Sequence, residues 1–578
     1  PDWWSGEHEG YWKDAFVRLA FYSGMEGPIR RAKEMMQAVL KSAEQDGGYI
    51  GMYSKKSRYN QERGKDNGEL WAQSRILQAL MAYHQFTQED KVLDAITKAA
   101  DITIENYSNY GNYFDIGKGG GIGHGLMLAE PLEELYYLTG DGKYADFIRV
   151  MYEDYSAAEN SSRYSDCQRD KILSDAKFVG HAVHSAEHIR VLAFLNSVDL
   201  TKENAALHSA AMKKLKFHST PTGTCVGNER VTKRRGTYRT HYEYCTVVET
   251  FLTTQSAAFK FGNMDKLEWA EKIFFNPGQG NRLSDNSAVI YLGADQQFHT
   301  FHGIAGRYRY AARHMAAACC PLNGGRLVPS YVRGMWARRS GENLPSAMLF
   351  GPCRLSIKYA FDKTNQQDVI IDENTGFPFD DTISFDMKTH APEGFAFYVR
   401  KPTWATKVKI DVRNADVQEQ DDFWKVIPEV GQKAAVKIRL NPQIEVKRLS
   451  RKGSLCERVG PDESLCKEKY CIKRGPLYFV LDIPHELKPI KNLQDSGFYV
   501  YKTKLKLKDY IKAKRMKLPK NPVQSFNVIK EDFDETDDVW ANSPLKLKIK
   551  GDHALGDECK ELVPMGCTRL RKFAFRLL

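Results

Sequence analysis

The spacing of hydrophobic residues divides the chain into a helical part and a strand-rich part. From about residue 10 to 335, apolar positions recur at helical intervals, and within 69–86 they place Leu70, Leu77 and Met81 on one face. Further helices are predicted at 90–105, 127–139, 143–157, 176–197, 201–215, 246–260 and 264–275. Long helices in succession, separated by glycine-rich or polar breaks, favour an α/α barrel.

The pattern changes after about residue 340. Short runs at 408–412, 436–440 and 545–549 alternate apolar and charged residues with period two, which is typical of strands with one face in water. Helices first and strands afterwards predict segregated domains, so the fold class is a multidomain α+β protein with a boundary between 335 and 350.

Composition narrows the class of protein without naming a function. A length of 578 residues predicts two to four domains, and 42% hydrophobic with 27% charged residues is typical of a globular protein and excludes intrinsic disorder. No apolar run approaches the roughly 18 residues that a membrane span needs, so we expect none.

The net charge of +11 is a modest excess for this length. It permits an acidic substrate but does not require one. Basic clusters at 233–235 and 512–520 lie in no nucleic-acid motif, so they are interpreted as solvated surface and no nucleic-acid binding is expected.

The adjacent pair Cys319-Cys320 is the most unusual local feature of the sequence. Two neighbouring thiols can be small buried hydrophobic residues or a vicinal disulfide. They can also belong to a soft-metal site, because thiolates are preferred zinc ligands.

A second motif favours the metal site. Glu243 and Cys245 precede a helix predicted to begin near Thr246, and residues two apart share one side of an extended segment but not of a helix. With the cysteine pair they would give zinc one oxygen and three sulfur ligands. Upstream, Glu229 is a surface residue on its own, but beside an activated nucleophile it becomes a candidate general acid/base.

Several motifs together resemble those of glycoside hydrolase family 127, the β-L-arabinofuranosidases and their relatives. They extend over nearly the whole chain and are Gly-His-Ala-Val at 180–183, Tyr-Glu-Tyr-Cys at 242–245, Cys-Cys-Pro-Leu-Asn at 319–323, Arg-Gly-Pro-Leu at 474–477, and the terminal segment 562–571.

The resemblance implies an (α/α)6 catalytic barrel at 1–340, a β-sandwich at 341–470, and a C-terminal β-rich domain, or a continuation of the sandwich, at 471–578. It implies a retaining exo-hydrolase that releases terminal β-L-arabinofuranose, or a related furanose, from plant oligosaccharides or polysaccharides. Such a substrate would place the protein in a periplasm or outside the cell, although no signal peptide is visible.

The resemblance also implies the roles of individual residues. Cys319 would be the nucleophile and Glu229 the acid/base. His124 and His181 would contact the sugar. Zn²⁺ would be bound by Glu243, Cys245, Cys319 and Cys320.

Two other interpretations remain open from the sequence. An α/α barrel also suits a polysaccharide lyase or an unsaturated-uronide hydrolase, neither of which needs the thiol set. A carbohydrate-binding protein without catalysis would use the same four ligands as a closed structural zinc site. The oligomeric state is not predicted.

Overall fold

The computed structural model describes residues 3–59, 67–117, 119–159, 166–283, 288–300, 310–311, 319–339, 341–342, 344–360, 366–450, 469–489, 498–534, 536–550 and 561–578. Helices dominate its first 333 residues. The α-helices are α1 Trp3–Ser23, α2 Glu26–Gln45, α3 Glu69–Thr87, α4 Asp90–Asn106, α5 Gly120–His124, α6 Ala129–Thr139, α7 Gly142–Ala157, α8 Arg169–Leu173, α9 Ala182–Glu187, α10 Ile189–Asp199, α11 Lys202–Phe217, α12 Tyr244–Phe261, α13 Met264–Ile273, α14 Cys319–Gly324, α15 Leu327–Arg333 and α16 Leu507–Arg515.

Strands make up most of the remainder, apart from four short ones inside the helical part. They are β1 Tyr242–Glu243, β2 Val289–Ile290, β3 Leu292–Gly293, β4 Tyr310–Ala311, β5 Trp336–Arg338, β6 Pro345–Ala347, β7 Cys353–Ala360, β8 Gln366–Thr375, β9 Thr382–Met387, β10 Phe397–Arg400, β11 Lys409–Arg413, β12 Ala415–Gln420, β13 Phe423–Pro428, β14 Ala435–Arg439, β15 Ile444–Leu449, β16 Lys469–Arg474, β17 Leu477–Asp482, β18 His485–Pro489, β19 Phe498–Thr503, β20 Lys517–Leu518, β21 Phe526–Lys530, β22 Leu545–Ile549, β23 Glu561–Pro564, β24 Arg571–Lys572 and β25 Arg576–Leu577.

The helical part has inner and outer helices. Nearly all of α3 from Glu69 to His84 is buried, and α12 is buried over most of its length, whereas α2 buries only one face. A helix that is buried all round must lie inside a layer of others. No helix of the described ranges is long and apolar enough to cross a membrane.

Most of the predicted helices are confirmed, but 176–197 is wrong over its first turns. Helix α9 begins only at Ala182, because the preceding backbone is bonded elsewhere. The amides of Val179 and Gly180 donate to the Asp166 carboxylate at 2.9 Å, and Val231 donates to the Gly180 carbonyl. These partners hold the segment extended against the 227–233 loop.

A buried network of ion pairs joins the helices beneath the later site. Glu249 of α12 accepts from Arg190 of α10 at 2.7 Å and from Arg326 at 3.1 Å. Burial by itself would raise the pKa of Glu249, but the two guanidinium groups lower it. Asn323 of α14 donates to the same carboxylate at 3.1 Å. The network therefore fixes α14 to α12.

The first sheet region is a pair of five-stranded sheets. One has the order β12-β13-β10-β6-β5 and the other β11-β14-β9-β8-β7. In β9 and β13 every second residue is buried, which confirms the period-two pattern. The predicted strands 408–412 and 436–440 correspond to β11 and β14.

The C-terminal region forms a seven-stranded sheet and returns to the helical part. That sheet runs β15-β16-β17-β23-β22-β21 with β24 beside β17, so the expected boundary at 470/471 falls inside β16. A four-stranded sheet, β18-β19-β4-β2, contains strands from both parts of the chain. The fully buried Arg571 donates to the carbonyls of Ala294 at 2.7 Å and Gly280 at 2.8 Å. The end of the chain thus supports the loop that follows β3.

Candidate active site

Three short elements bring together the four residues predicted to bind metal. Glu243 lies on β1, which pairs with β3. Cys245 lies in the first turn of α12, and Cys319 and Cys320 open α14. One ligand atom from each lies within 4.8 Å of all the others. The sequence motifs are therefore adjacent in space.

The expected route to this convergence was wrong in one respect. Helix α12 begins at Tyr244, two residues earlier than predicted, so Cys245 is helical. Glu243 keeps an extended backbone, with φ −73° and ψ 146°, because its strand is paired with Leu292. The chain turns at this strand-to-helix junction, and the turn brings the two side chains to one side.

The spacing of the four side chains fits a tetrahedral metal ion. The Glu243 Oε1 atom lies 3.5 Å from the Cys319 sulfur and 3.6 Å from the Cys320 sulfur, and the sulfurs of Cys245 and Cys320 are 3.4 Å apart. Zinc bonds of about 2.3 Å to sulfur and 2.0–2.2 Å to oxygen predict a sulfur–oxygen edge of about 3.5 Å. Glu243 Oε2 is buried and lies 3.4 Å from His181 Nε2, so Oε1 is the oxygen that faces the sulfurs. The donor set suits a soft divalent cation.

Cys319 differs from the other two thiols even without a cation. Hydrogen bonds from Cys245 and Cys320 lower the pKa of Cys319 well below its ordinary value, while burial raises the pKa of both neighbours. Cys319 is also the only half-buried member of the set. The thiol predicted to be the nucleophile is therefore the most exposed of the three.

Glu229 is held next to Cys319 by a tyrosine. The hydroxyl of Tyr291, which lies between β2 and β3, donates to Glu229 Oε1 at 2.8 Å and is 4.0 Å from the Cys319 sulfur. Glu229 has a positive φ of 67°, which is uncommon outside glycine, and its carbonyl accepts from the Ala182 amide at 2.8 Å. The surrounding loop holds a strained conformation that turns the carboxylate toward the cluster.

Histidines form the opposite wall. His181 Nε2 is 3.4 Å from Glu243 Oε2, and His181 Nδ1 is 3.0 Å from His184 Nδ1. The rings of His124 and His184 stack with centroids 3.8 Å apart, and His124 also stacks on Trp71 at 4.4 Å. Contact with Glu243 outweighs burial and raises the pKa of His181 to about 9. Both histidines predicted to contact sugar therefore lie at the site.

Hydrogen-bond partners determine where several of these rings carry their protons. The Gly120 carbonyl can only accept, so His184 carries hydrogen on Nε2 and its Nδ1 accepts from His181. The Gly123 carbonyl and the Tyr155 hydroxyl orient His188 in the same way. Burial lowers the pKa of His188 to about 4. His184 and His188 are consequently neutral.

Sequence reasoning missed several residues at the site. Neither Tyr291 nor Glu7 belongs to a recognisable sequence motif. Glu7 is connected to the site through Trp71, whose Nε1 donates to Glu7 Oε2 at 2.7 Å. Burial and the nearby Cys319 raise the pKa of Glu7 well above its usual range. A helical spacing from His181 through His184 to His188 was visible and could have identified the histidine wall.

Comparison with known families agrees with this arrangement. The model of the β-L-arabinofuranosidase GH127 catalytic domain matches residues 3–333, and that of the GH127 middle domain matches residues 347–441. The matched catalytic domain, which contains all the residues of the site, defines a glycoside hydrolase. More particularly, the chain belongs to the GH127 family of β-L-arabinofuranosidases. The predicted enzyme class and the family resemblance are both confirmed.

Solved structures show the same fold over the whole chain. A GH127 β-L-arabinofuranosidase from Geobacillus stearothermophilus T6 is 14% identical with a TM-score of 0.68, covering 100% of this chain and 91% of that one. A protein described as a glycoside hydrolase is 13% identical with a TM-score of 0.70, covering 99% and 92%. A GH127 β-arabinofuranosidase is 13% identical with a TM-score of 0.62 and the same coverage. A comparison with curated protein sequences finds no match.

Proposed function

We propose that the protein is a retaining exo-hydrolase that removes terminal β-L-arabinofuranose, or a closely related furanose, from plant glycans. The observation that carries this proposal is the convergence of Glu229, Tyr291 and Cys319 beside three further metal-type donors. Family membership supports a furanose substrate. A location in the periplasm or outside the cell rests on the substrate class alone.

Zinc is the metal that the donor chemistry favours. Glu243, Cys245, Cys319 and Cys320 would hold it, since thiolates with one carboxylate are preferred by zinc over harder cations. When bound, the ion keeps the Cys319 sulfur as thiolate near neutral pH and balances part of the charge of its four anionic ligands. The resulting formal charge of about −2 favours a cationic transition state at the sugar.

Cys319 would begin the reaction. Its sulfur attacks the anomeric carbon as the bond from that carbon to the leaving oxygen breaks, and the Glu229 carboxylic acid gives a proton to that oxygen. Water then attacks the same carbon, Glu229 takes a proton from the water, and the carbon–sulfur bond breaks to return the thiolate. Two inversions at one carbon give retention of configuration.

The neighbouring residues would orient the reactants. The Tyr291 hydroxyl donates to Glu229 Oε1 at 2.8 Å and lies 4.0 Å from the Cys319 sulfur, so it would hold the acid beside the nucleophile. His124 and His181, fixed by Glu187 and Glu243, would bind sugar hydroxyls. Trp71, stacked on His124, closes the end of this wall.

The domain division is also a proposal. Inner and outer helices support closure of residues 1–340 into an (α/α)6 barrel, although β5 at Trp336–Arg338 already pairs into the first sheet region. The expected units are a β-sandwich at 341–470 and a C-terminal β-rich unit at 471–578. Sheet pairing supports an earlier boundary between them, near Ile444, because β15 pairs with the C-terminal strands.

A test of the reaction is the hydrolysis of 4-nitrophenyl β-L-arabinofuranoside by the zinc-loaded protein, with the anomer of the first product read by NMR. Retention is expected, and Cys319→Ser should lose about 10⁴-fold or more in kcat. Cys353→Ser, a half-buried thiol in the sheet region, is the matched control and should keep full activity. Substantial turnover by Cys319→Ser, or an inverted product, would overturn the mechanism.

A further inference from the structure

Most of the excess positive charge of the protein lies in two short segments. Residues 498–520 contain nine lysines and arginines against one acidic residue, and 227–241 contain five against one. Their combined excess is larger than the net charge of +11 for the whole chain. The rest of the protein is therefore close to neutral, and the charge is concentrated.

All of these cations are exposed. We call the fourteen of them the basic face. They are Arg230, Lys233, Arg234, Arg235, Arg239, Lys502, Lys504, Lys506, Lys508, Lys512, Lys514, Arg515, Lys517 and Lys520. No ion pair joins any of them to an acidic side chain within the described ranges. So many exposed cations without acidic partners repel one another, a cost that a polyanion would remove.

The two segments meet at the loop that follows β3. Gln296 donates to the Tyr238 carbonyl at 2.9 Å, which joins this loop to 227–241. On the other side, Phe298 contacts Tyr510 of α16 at 6.1 Å, and the Lys514 ammonium lies 5.0 Å from the Phe298 ring. The loop that follows β3 therefore contacts both basic segments.

This face borders the candidate active site. The 227–241 segment includes Glu229, and β19, which leads into the lysine-rich segment, pairs with β4, which in turn pairs with β2. Two strand spacings separate β19 from β2 by about 10 Å. Tyr291 follows β2 directly. A glycan whose terminal sugar lies between Glu229 and Cys319 could therefore extend across the basic face.

Four of the lysines follow one another at every second position of the chain. Lys502 lies on β19, which ends at Thr503; Lys504 and Lys506 stand on either side of a bend at Leu505, and Lys508 lies in the first turn of α16. Exposed charges spread along a segment in this way suit a polymer that carries many carboxylates better than a compact anion. Carboxylate-bearing sugars carry one such charge per residue.

We propose that the basic face binds an acidic polysaccharide, a polyuronate chain, and that it holds the charged backbone of a glycan whose neutral furanose branch enters the pocket. The proposal rests on the proposed function for its choice of glycan. Exposed Leu507 and Ile511 beside these lysines would also suit an anionic membrane, and phosphate backbones would suit nucleic acid, so both are outcomes of the test.

The test compares binding of the full chain to polygalacturonate, to neutral arabinan, to vesicles with 30% phosphatidylserine and to single-stranded DNA. The variant changes Lys502, Lys504, Lys506 and Lys508 to Glu. The matched control changes four exposed lysines of the first sheet region to Glu, so that net charge falls equally; they are Lys407, Lys409, Lys433 and Lys437.

Wild-type protein should bind polygalacturonate more tightly than the other three ligands, and binding should weaken as salt rises. The variant should bind about tenfold or more weakly, and the control about as well as wild type. Equal loss in the control, no binding by wild type, or tighter binding to vesicles or DNA would overturn the proposal.

Turnover of 4-nitrophenyl β-L-arabinofuranoside separates this inference from the proposed function. The variant should hydrolyse this small neutral substrate as wild type does, because none of the four lysines touches the site. If wild-type protein does not hydrolyse it, the proposed function is contradicted. The binding comparison then still decides whether the basic face binds a polyuronate.

Discussion

The two walls of the candidate active site are built from opposite kinds of groups. On the thiol wall, one ligand atom each from Glu243, Cys245, Cys319 and Cys320 lies within 4.8 Å of the others. On the histidine wall, rings stack and their nitrogens bond to fixed oxygens, as His184 and His188 do to Gly120 and Gly123. The donor atoms of the first wall are compatible with a metal ion, whereas the nitrogens of the second are already paired with other protein groups.

The largest effect is expected when one of the four metal-type donors of the thiol wall is removed. Cys245→Ala should reduce zinc from about one ion per chain to near zero and lower kcat/KM by about 10³-fold or more, because the nucleophile loses both the cation and the Cys245 hydrogen bond that stabilise its thiolate. Elemental analysis and the arabinofuranoside assay measure the two effects.

His184→Ala is the matched control for this comparison. Although His124, His181 and His184 also have nitrogens within 4.8 Å of one another, both ring nitrogens of His184 already have partners, His181 Nδ1 at 3.0 Å and the Gly120 carbonyl at 3.3 Å, so zinc content should be unchanged. Loss of zinc in His184→Ala as complete as in Cys245→Ala would mean that the histidine wall is itself a metal site.

Glu229→Gln should have the next largest effect, about 10²–10⁴-fold on kcat for a glycan substrate, because the amide cannot transfer a proton. The loss should be smaller for a 4-nitrophenyl glycoside, whose leaving group needs little protonation. Zinc should stay bound, since Glu229 is outside the four-donor set. Equal losses for both substrates would indicate that Glu229 positions Tyr291 and does not act as the acid.

Sequence alone identified the thiol wall almost completely, because its residues carry adjacent or near-adjacent motifs whose chemistry is distinctive. It also predicted the order of helices and strands. It could not place Tyr291 or Glu7, which reach the site through packing between distant segments. The 176–181 segment was wrongly predicted as helix for the same reason, because Asp166 and the 231–233 loop provide its hydrogen bonds.

The histidine wall makes a prediction about stability and pH. Burial lowers the pKa of His188 from about 6.5 to about 4 in the folded protein, so the unfolded chain takes up a proton first as pH falls. Stability is therefore present above pH 6.5 and lost progressively toward pH 4, by about 2 kcal/mol between pH 7 and 5. His188→Gln should remove this part of the acid sensitivity.

Urea unfolding of zinc-loaded protein at pH 7 and pH 5 measures this difference. His208→Gln is the matched control, since burial also lowers the pKa of His208 to about 4 at a position on α11, outside the site. Both variants should lose less stability than wild type between the two pH values, but only His188→Gln should raise KM. An unchanged acid loss in His188→Gln would contradict its assignment as a neutral ring.

The smallest effect is expected at Glu7, which bonds to Trp71 beside the histidine wall and interacts electrostatically with Cys319 of the thiol wall. Burial and Cys319 raise the pKa of this carboxyl well above its usual range, and its oxygen accepts from the Trp71 indole at 2.7 Å. Glu7→Gln preserves an uncharged acceptor and should change stability by less than about 0.5 kcal/mol, whereas Glu7→Leu leaves the buried indole N–H unpaired and should cost about 1–3 kcal/mol. Unfolding free energies and KM for the arabinofuranoside check both. If Glu7→Gln were as damaging as Glu7→Leu, the negative charge of Glu7 and not its hydrogen bond would be holding Trp71 against His124. The histidine wall would then depend on charge, as the thiol wall does.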